Sequence, residues 1–335
     1  MGKPVNWGVI STAKIGLVHV IPAMMKSDDI NVMAVGSRDL AKGQAYADEL
    51  GIPKVYGSYE ELLADPEIEA VYNPLPNHLH VPVTIQAMEA GKHVLCEKPI
   101  SIDAAEAETL VDVSKRTGKL VEEAFMVRQS PQWLRVVELV KTGTIGELRA
   151  IQGIFSYFNA DPNNIRNRAD IGGGGIYDIG CYLITTSRMV AEEEPNRVAA
   201  VIDRDPVMKT DRLASAIMTF PSGVQATWVC STQMVLRQRM TFVGTKGRIE
   251  VEIPFNAPND RPCRIFIDDG QDNLGTGIKT EEFPINDQYT IQGELFSRAI
   301  RDGGPVTVSL ENSIANMRVI DAVFQAGKSG QWVDV

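Results

Sequence analysis

The stretch VNWGVISTAKIG, residues 5–16, sets an apolar run directly before three small residues at the spacing S-x-A-x-x-G. The apolar run predicts a β-strand, and the residues after it predict a tight turn that opens a helix. Three glycines normally occupy these positions in a turn that binds a dinucleotide. Ser11, Ala13 and Gly16 keep the small size, which would let the backbone approach a pyrophosphate at a helix N-terminus. For the pattern taken alone, a tight turn without a ligand is the alternative.

The first 125 residues repeat this alternation of strand and helix. Strands and helices in regular alternation predict a parallel sheet with helices on both faces, an α/β Rossmann-type doubly wound fold. The predicted strands are residues 5–10, 30–37, 54–56, 69–76, 92–99 and 119–125. The predicted helices lie near residues 14–26, 40–50, 78–90 and 103–117, with a further helix that Ser58 would cap.

The pattern changes after residue 125, where apolar runs follow one another with tight-turn signals between several of them. It predicts an α+β second domain with a large, mainly antiparallel sheet. We therefore place a dinucleotide-binding domain at residues 1–125 and a second domain at residues 126–335. The predicted strands are 148–158, 196–203, 213–220, 223–233, 238–244, 248–253 and 263–268, and the predicted helices lie near 131–142, 175–190, 289–302 and 310–327.

Composition limits the possible partners. The chain has 335 residues, 23% of them charged, and a formal net charge of -10, which gives no electrostatic footprint for nucleic acid or an anionic membrane. It lacks an apolar run of the ~18 residues that a transmembrane helix requires. The first strand leaves no room for a signal peptide, and four dispersed cysteines fit reduced thiols, so we expect a cytoplasmic protein.

The second strand ends in GSRD, residues 36–39, where an NAD site normally places an acidic side chain against the ribose 2′-hydroxyl. This chain offers Ser37 and Arg38 there, with Lys42 one turn into the next helix. Two cations would attract a 2′-phosphate, so the stretch favours NADP(H) over NAD(H). A solvated basic turn, with Asp39 merely capping the helix, is the alternative.

The stretch LCEKPIS, residues 95–101, places Glu97 and Lys98 at the end of the fifth predicted strand. Ligands of open parallel sheets bind outside the carboxyl ends of the strands, so Lys98 would leave the sheet at the ligand edge. Pro99 favours extended backbone conformations for Lys98. On position alone, a plain surface turn explains the pair equally well.

The stretch GGGGIYDIGCYLITTSR, residues 172–188, begins with four glycines and continues as a helical pattern. Asp178 and Tyr182 are four residues apart, so they would share one helix face. The glycines suggest a helix start that approaches another surface closely. A helix packed on a sheet, with Tyr182 in the core, is the alternative for this stretch in isolation.

Together, EKP at 97–99, the modified glycine turn and GGGxxxDxGxY at 172–182 resemble the Gfo/Idh/MocA oxidoreductases over essentially the whole chain. Among the branches, the chain is similar to glucose-fructose oxidoreductase, the NADP-dependent aldose dehydrogenases and dihydrodiol dehydrogenase, which carry tyrosine where Tyr182 stands. DPNNIR, residues 161–166, resembles a loop of the sugar-oxidising members. EAFMVRQSPQW, residues 123–133, departs from the commoner family pattern near the active site. The resemblance implies an open-faced second-domain sheet that makes a homodimer or homotetramer.

The resemblance also implies site residues. Those expected to bind the cofactor are Ser11, Ala13, Lys14, Ile15, Ser37, Arg38, Lys42, Pro74, Asn77, His80, Glu97 and Lys98. Those expected to bind the substrate are Lys98, Arg128, Arg166, Asp178 and Tyr182, although surface ion pairs explain both arginines as well. A capping or surface role is open for His80, and Asn77 is a plausible N-cap. His78 and His80 are two residues apart and do not share a helix face, so we expect no metal site.

The implied catalytic residues are Lys98, Tyr182 and Asp178. Tyr182 would exchange the substrate's hydroxyl proton while hydride passes between a carbinol carbon and the nicotinamide. Free tyrosine has a pKa of ~10. A lysine ammonium ~4 Å away would stabilise the phenolate by roughly 4 kcal/mol at an effective dielectric of ~20, so Lys98 could assist. Asp178 would bind a substrate hydroxyl or keep Lys98 charged, and Glu97 would anchor the turn.

Three functions fit this sequence. The first is an NADP(H)-dependent oxidoreductase acting on a CH–OH group of an aldose or cyclic polyol. The second retains its NADP(H) and oxidises one sugar while it reduces another. The third, from a different class, is a redox sensor or scaffold that binds NADP(H) without chemistry, which would need none of Lys98, Asp178 and Tyr182.

Overall fold

The computed structural model describes residues 2–335, which divide into two compact units. One unit runs to Met126 and includes Asp287–Ile314. The other comprises Val127–Asn286 and Ala315–Val335. The predicted second domain, residues 126–335, includes the segment Asp287–Ile314. The structure places this segment in the first unit.

The first unit is built on a six-stranded sheet in which each pair of neighbouring strands is parallel. Its strands are β1 (Val5–Ile10), β2 (Ile30–Gly36), β3 (Lys54–Tyr56), β4 (Ala70–Asn73), β5 (His93–Cys96) and β6 (Val121–Glu123). They lie in the order β3-β2-β1-β4-β5-β6, so the chain winds outward from β1 in one direction and then from β4 in the other. The predicted doubly wound sheet is confirmed.

The helices within residues 2–126 are α1 (Ile21–Met24), α2 (Leu40–Leu50), α3 (Tyr59–Ala64), α4 (His80–Glu89) and α5 (Ala104–Thr117). Asp39, Ser58 and Asp103 each accept a hydrogen bond from a backbone N–H of the first turn of α2, α3 and α5, respectively. The prediction of Asn77 as an N-cap is wrong. Asn77 lies inside a 3₁₀ turn, Asn77–Leu79, and α4 begins only at His80.

The second unit is built on a nine-stranded sheet in the order β14-β13-β12-β11-β7-β10-β9-β8-β15. Its strands are β7 (Leu148–Phe158), β8 (Arg197–Arg204), β9 (Asp211–Thr219), β10 (Gln225–Ser231), β11 (Gln233–Gly244), β12 (Arg248–Val251), β13 (Cys263–Asp268), β14 (Lys279–Phe283) and β15 (Val333–Asp334). Neighbours are antiparallel except β10 and β7. The predicted mainly antiparallel sheet is confirmed, although the sequence reading missed the short strands β14 and β15.

Helices cover one face of this sheet. They include α6 (Pro131–Lys141) and α7 (Cys181–Ala191), and a π-helical turn, Ile176–Gly180, leads into α7. An ideal Cβ on Gly153 of β7 would lie 2.6 Å from the Leu183 Cδ2 atom of α7, so glycine permits the close packing of helix on strand. Phe155 and Phe255 stack beneath with ring centroids 4.7 Å apart. The opposite face exposes aliphatic side chains such as Val201, which is 76% exposed.

The remaining helices are α8 (Gln288–Asp302) and α9 (Leu310–Ser329). The structure assigns α8 to the first unit because its apolar face packs on β1. Phe296 contacts Trp7 with ring centroids 5.8 Å apart, and the Trp7 indole N–H donates to the Ser297 hydroxyl at 3.1 Å. The Thr290 hydroxyl also donates to the Ala23 carbonyl. The helical pattern predicted α8 correctly, but it does not say which core the helix completes.

Candidate active site

The turn after β1 carries Ser11, Ala13 and Gly16 where a usual dinucleotide-binding turn carries three glycines. Ser11 has φ 75°, in the left-handed region that glycine usually occupies. Gly16 is buried, and an ideal Cβ there would lie 2.7 Å from the Tyr46 hydroxyl. Lys14 and Ile15 follow the turn at the start of a helix that passes through a π-helical segment, Gly16–Val20. The turn therefore fits a pyrophosphate at this helix N-terminus.

Three predicted cofactor residues follow strands that are adjacent in the sheet. Ser11 follows β1, Pro74 follows β4 and Glu97 follows β5. Because the three strands are parallel, these residues lie at the same carboxyl edge of the sheet. The strand order changes direction between β1 and β4 at this place. This edge is where an open parallel sheet binds its ligands.

Glu97 anchors the turn that carries Lys98. The Tyr72 hydroxyl donates to Glu97 Oε1 at 2.7 Å, and the Glu97 N–H donates to the Asn73 carbonyl at 3.0 Å. Burial, followed by the Glu97 carboxylate, raises the pKa of Tyr72, which keeps its proton available to Glu97. Lys98 is partly exposed beside this anchor, and the peptide bond between Lys98 and Pro99 is cis. The Tyr72 hydroxyl is thus one donor to Glu97 in the anchoring role expected for it.

The turn after β2 uses its small polar residues locally and leaves its cations exposed. The buried Ser37 hydroxyl donates to the Asp39 carbonyl at 2.8 Å. The Asp39 carboxylate accepts a hydrogen bond from the Lys42 N–H at 3.1 Å and so caps α2. This cap was part of the alternative prediction for the turn. Arg38 and Lys42 both remain exposed, and the Lys42 ammonium is 3.6 Å from Asp39. The turn can therefore present two cations, while Ser37 contributes to its shape.

His80 is buried rather than on the surface. Its Nε2 atom lies 2.6 Å from the Leu75 carbonyl oxygen, and its Nδ1 atom lies 2.7 Å from that of Pro99. Burial lowers the pKa of His80 to about 4, so the ring is neutral near pH 7 and donates from one nitrogen. The imidazole thus lies between the loop after β4 and the turn that carries Lys98. This placement supports the site from beneath, and the surface alternative is wrong.

In the second unit, Asp178 lies in the π-helical turn and is held on both carboxylate oxygens. The Tyr157 hydroxyl donates to Oδ2 at 2.5 Å, and Arg166 Nε donates to Oδ1 at 3.0 Å. Burial and the Asp178 carboxylate raise the pKa of Tyr157, so the phenol stays protonated and remains a donor. The ion pair predicted as the alternative for Arg166 thus exists, and its partner is the predicted catalytic aspartate.

Tyr182 lies in the first turn of α7 and packs among aromatic rings. It is 5% exposed, and its ring lies edge-on to Phe155 at 5.9 Å and tilted against Phe255 at 5.6 Å. The Tyr182 ring therefore lies in the core, as the alternative interpretation predicted. A buried ring by itself does not exclude chemistry at the hydroxyl. One turn later, the Thr185 hydroxyl accepts a hydrogen bond from Arg128 at 3.2 Å, which holds this predicted substrate residue against the same helix.

Two of the glycines before this helix lie in close contact with other parts of the second unit. An ideal Cβ on Gly173 would lie 2.6–2.8 Å from the carbonyl oxygens of Arg168, Arg166 and Ile165. Gly174, at φ 132°, would place a Cβ 2.0 Å from Asp211 Oδ1. Glycine is therefore required for the chain to enter the helix here.

The sequence reading missed two residues of this cluster, Tyr157 and Asp211. Signals for both exist. Tyr157 is two residues after Phe155 along β7, so both side chains face the covered side of the sheet, and Tyr157 carries a polar hydroxyl there. Asp211 is an acidic residue at the start of an otherwise apolar alternating strand, β9. Their contacts with the glycine-rich segment depend on strand pairing, which the sequence does not show.

Comparison with known proteins identifies the family. A profile described as "Oxidoreductase family, NAD-binding Rossmann fold" matches residues 5–125, and one described as "GFO/IDH/MocA C-terminal domain" matches residues 133–250. The chain belongs to the Gfo/Idh/MocA oxidoreductase family. The predicted family is confirmed, and with it the expectation of a nicotinamide dinucleotide cofactor.

Individual family members resemble the chain over nearly its whole length. An uncharacterised oxidoreductase of Rhizobium meliloti is 48% identical over 331 residues, 99% of each chain. The D-xylose 1-dehydrogenase (NADP(+)) 2 of Haloferax volcanii is 35% identical over 98% of this chain and 99% of its own. A 3-ketoreductase from Actinomadura kijaniata, crystallised with NADP and TDP-benzene, superposes with a TM-score of 0.90 at 29% identity, covering 96% and 98% of the two chains. The preference for NADP(H) predicted from the β2 turn agrees with the latter two proteins.

Among residues 2–335, no group of three or more histidine, cysteine or acidic side chains is arranged to hold a metal ion. None of the helices over this range combines the length and apolar character needed to cross a membrane.

Proposed function

We propose that this oxidoreductase uses NADP(H) to transfer hydride to or from a carbinol or carbonyl carbon of a sugar, either an aldose or a cyclic polyol. The observation that carries the proposal is the shared carboxyl edge of β1, β4 and β5, where the small-residue turn and Lys98 lie on parallel strands of one sheet. The D-xylose dehydrogenase among the relatives supports a sugar substrate. The exposed Arg38 and Lys42 support the 2′-phosphate of NADP(H).

The proposed chemistry divides between three side chains. Nicotinamide, when bound, supplies the hydride acceptor or donor. In the oxidative direction, Tyr182 takes the hydroxyl proton as the C–H bond gives up its hydride. Lys98 is assigned the role of the positive charge at the ligand edge of the first unit, as the family resemblance implies. Asp178, ordered by Tyr157 and Arg166, accepts a hydrogen bond from a second substrate hydroxyl.

The first test is absorbance in the NADPH band after aldoses are added to the purified protein with NADP+. Growth of the band on substrate addition supports catalysis, and an unchanged band across aldoses and cyclic polyols supports the sensor or scaffold instead. Gel filtration before the assay separates the two catalytic modes. Cofactor that stays with the protein and is reduced by one sugar, then reoxidised by another, would identify sugar–sugar exchange.

The second test separates catalysis from cofactor binding. Lys98→Ala and Tyr182→Phe are each expected to lower kcat by roughly 10²–10⁴, the usual contribution of a general acid or base, while leaving NADPH affinity within a few-fold. Lys119→Ala is the matched control, because Lys119 precedes β6 at the opposite, amino edge of the sheet. Equal losses of kcat and NADPH binding would contradict the acid–base roles.

We also propose that the uncovered face of the nine-stranded sheet forms a homodimer or homotetramer contact. That face carries aliphatic and small polar side chains, including Val201, Ile217, Ser215 and Thr227. Ile217→Arg would place a charge in the contact, so we expect a smaller mass by light scattering. A wild-type chain that is monomeric at all concentrations would contradict the contact.

The four cysteines are free and buried, which supports a reducing, cytoplasmic location.

A further inference from the structure

Asp211 begins β9 and lies against the start of the helix that carries Asp178 and Tyr182. We call this helix, the π-helical turn Ile176–Gly180 followed by α7, the site helix. Asp211 is 1% exposed, and its Oδ2 atom accepts a hydrogen bond from the Ile176 N–H at 2.6 Å. The neighbouring N–H of Gly175 also faces the carboxylate. A buried carboxylate therefore binds the first N–H groups of the site helix.

The glycines make this contact possible. Gly174 has φ 132°, and an ideal Cβ there would lie 2.0 Å from Asp211 Oδ1. The Gly174 N–H donates to the Arg166 carbonyl at 2.8 Å, and the Arg166 side chain in turn donates to Asp178. The start of the site helix is thus held from the sheet by Asp211 and from the loop by Arg166.

We propose that Asp211 is a positioning residue that fixes the direction of the site helix, and through it Asp178 and Tyr182, for hydride transfer. Asp211 is buried behind the helix start and acts through backbone N–H groups, so it is not a catalytic residue. The inference rests on the proposed function for its effect on turnover. Its effect on the helix start can be measured without turnover.

Charged and titratable groups around Asp211 define a pH signature. Arg204 of β8 and Cys230 of β10 interact electrostatically with the Asp211 carboxyl group. Burial raises the pKa of Asp211 to about 6, although the backbone N–H groups and Arg204 oppose the rise. The carboxylate is therefore charged near pH 8 and protonated below about pH 6. Protonation turns one carboxyl oxygen from an acceptor into a donor, so the hydrogen bonds to the Ile176 and Gly175 N–H groups rearrange below about pH 6.

The test compares Asp211→Asn with Asp205→Asn. Asparagine keeps the shape but turns an NH2 group toward one of the N–H donors. Asp205 is the matched control, because its carboxylate also accepts backbone N–H groups in the second unit, from Val207 and Met208, within the β8–β9 turn. For Asp211→Asn we expect kcat roughly tenfold lower, NADPH affinity within twofold of wild type, and loss of the acid limb of kcat near pH 6. Asp205→Asn should change none of these.

Hydrogen exchange measured by mass spectrometry gives the readout that is independent of activity. Asp211→Asn should speed exchange of the Ile176 amide at least tenfold and leave the amides of α5 unchanged. Gly174→Ala approaches the same contact from the other side and should give the same pattern, which covers the case in which the first variant does not fold. Faster exchange in a chain whose wild type oxidises no sugar would refute the proposed function alone. An active wild type with kcat and Ile176 exchange unchanged in Asp211→Asn would refute the positioning role.

Discussion

The hydroxyl of Tyr157 offers a sharp test of the Asp178 arrangement. Tyr157→Phe deletes one oxygen, which donates to Asp178 Oδ2 at 2.5 Å, and leaves the ring to fill its place. Arg166 remains on the other carboxylate oxygen. The change therefore removes one donor from a mostly buried carboxylate, whose side chain is 13% exposed, without opening a cavity.

The size of the effect follows from the charge of the acceptor. A hydrogen bond to a charged group contributes about 1.5–3 kcal/mol to stability, so the unfolding free energy should fall by about 2 kcal/mol. At 2–4 °C per kcal/mol for a domain of this size, the melting temperature should fall by about 4–8 °C. If Asp178 binds a substrate hydroxyl, the loss of its orientation should also raise KM for the sugar by roughly tenfold, since ~1.4 kcal/mol corresponds to a factor of ten.

Calorimetric melting and steady-state kinetics with NADP+ held at saturation measure the two effects separately. Tyr56→Phe is the matched control, because the Tyr56 hydroxyl donates to Asp65 Oδ2 at 2.7 Å in the first unit, outside the predicted site. It should lower stability and leave KM for the sugar unchanged. The reasoning is refuted if Tyr157→Phe leaves both melting and KM at wild-type values, or if Tyr56→Phe raises KM to the same extent.

Three further predictions concern the cofactor turn and the buried acid. Arg38→Ala with Lys42→Ala should weaken NADP+ binding by roughly 10–100-fold and leave NAD+ binding unchanged, as followed by fluorescence titration; equal losses for both would exclude recognition of a 2′-phosphate. The Tyr46 hydroxyl is buried without a hydrogen-bond partner among the described residues, so Tyr46→Phe should raise the unfolding free energy by about 1 kcal/mol, and denaturant unfolding that shows a loss would contradict this. The pKa of Asp211 rises from 3.8 to about 6 on folding, so the native state binds the proton more tightly and wild-type stability falls as the pH rises through that interval. Asp211→Asn lacks this cost and should gain stability relative to wild type between about pH 4 and 7, by at most about 3 kcal/mol; a constant difference across that range would count against the assignment.

Elements with strong local signals were predictable from the sequence. The α2 helix runs over the predicted residues 40–50 because Asp39 caps its start and Gly51, at φ 70°, ends it. The strand β7 also matches its predicted bounds, 148–158, as an alternating apolar run. The strand β14 was missed because KTEEF carries too little apolar alternation to be distinguished from a polar loop.

Non-local pairing explains what the sequence did not show. Lys98, Asp178 and Tyr182 could be selected because each lies in a short stretch with its own pattern. Tyr157 and Asp211 become relevant only through sheet pairing. The strand β10 pairs with β7 on one side and β9 on the other, and Ser231 of β10 lies opposite both Ser156 and Leu213. That register brings the end of β7 and the start of β9 to the same end of the sheet, on either side of the glycine-rich segment. A one-residue slip of either strand would turn its side chains to the opposite face and undo the contacts with Asp178 and Ile176. In this family member, the precision of the proposed site therefore depends on the register of three strands as much as on the residues of its motifs.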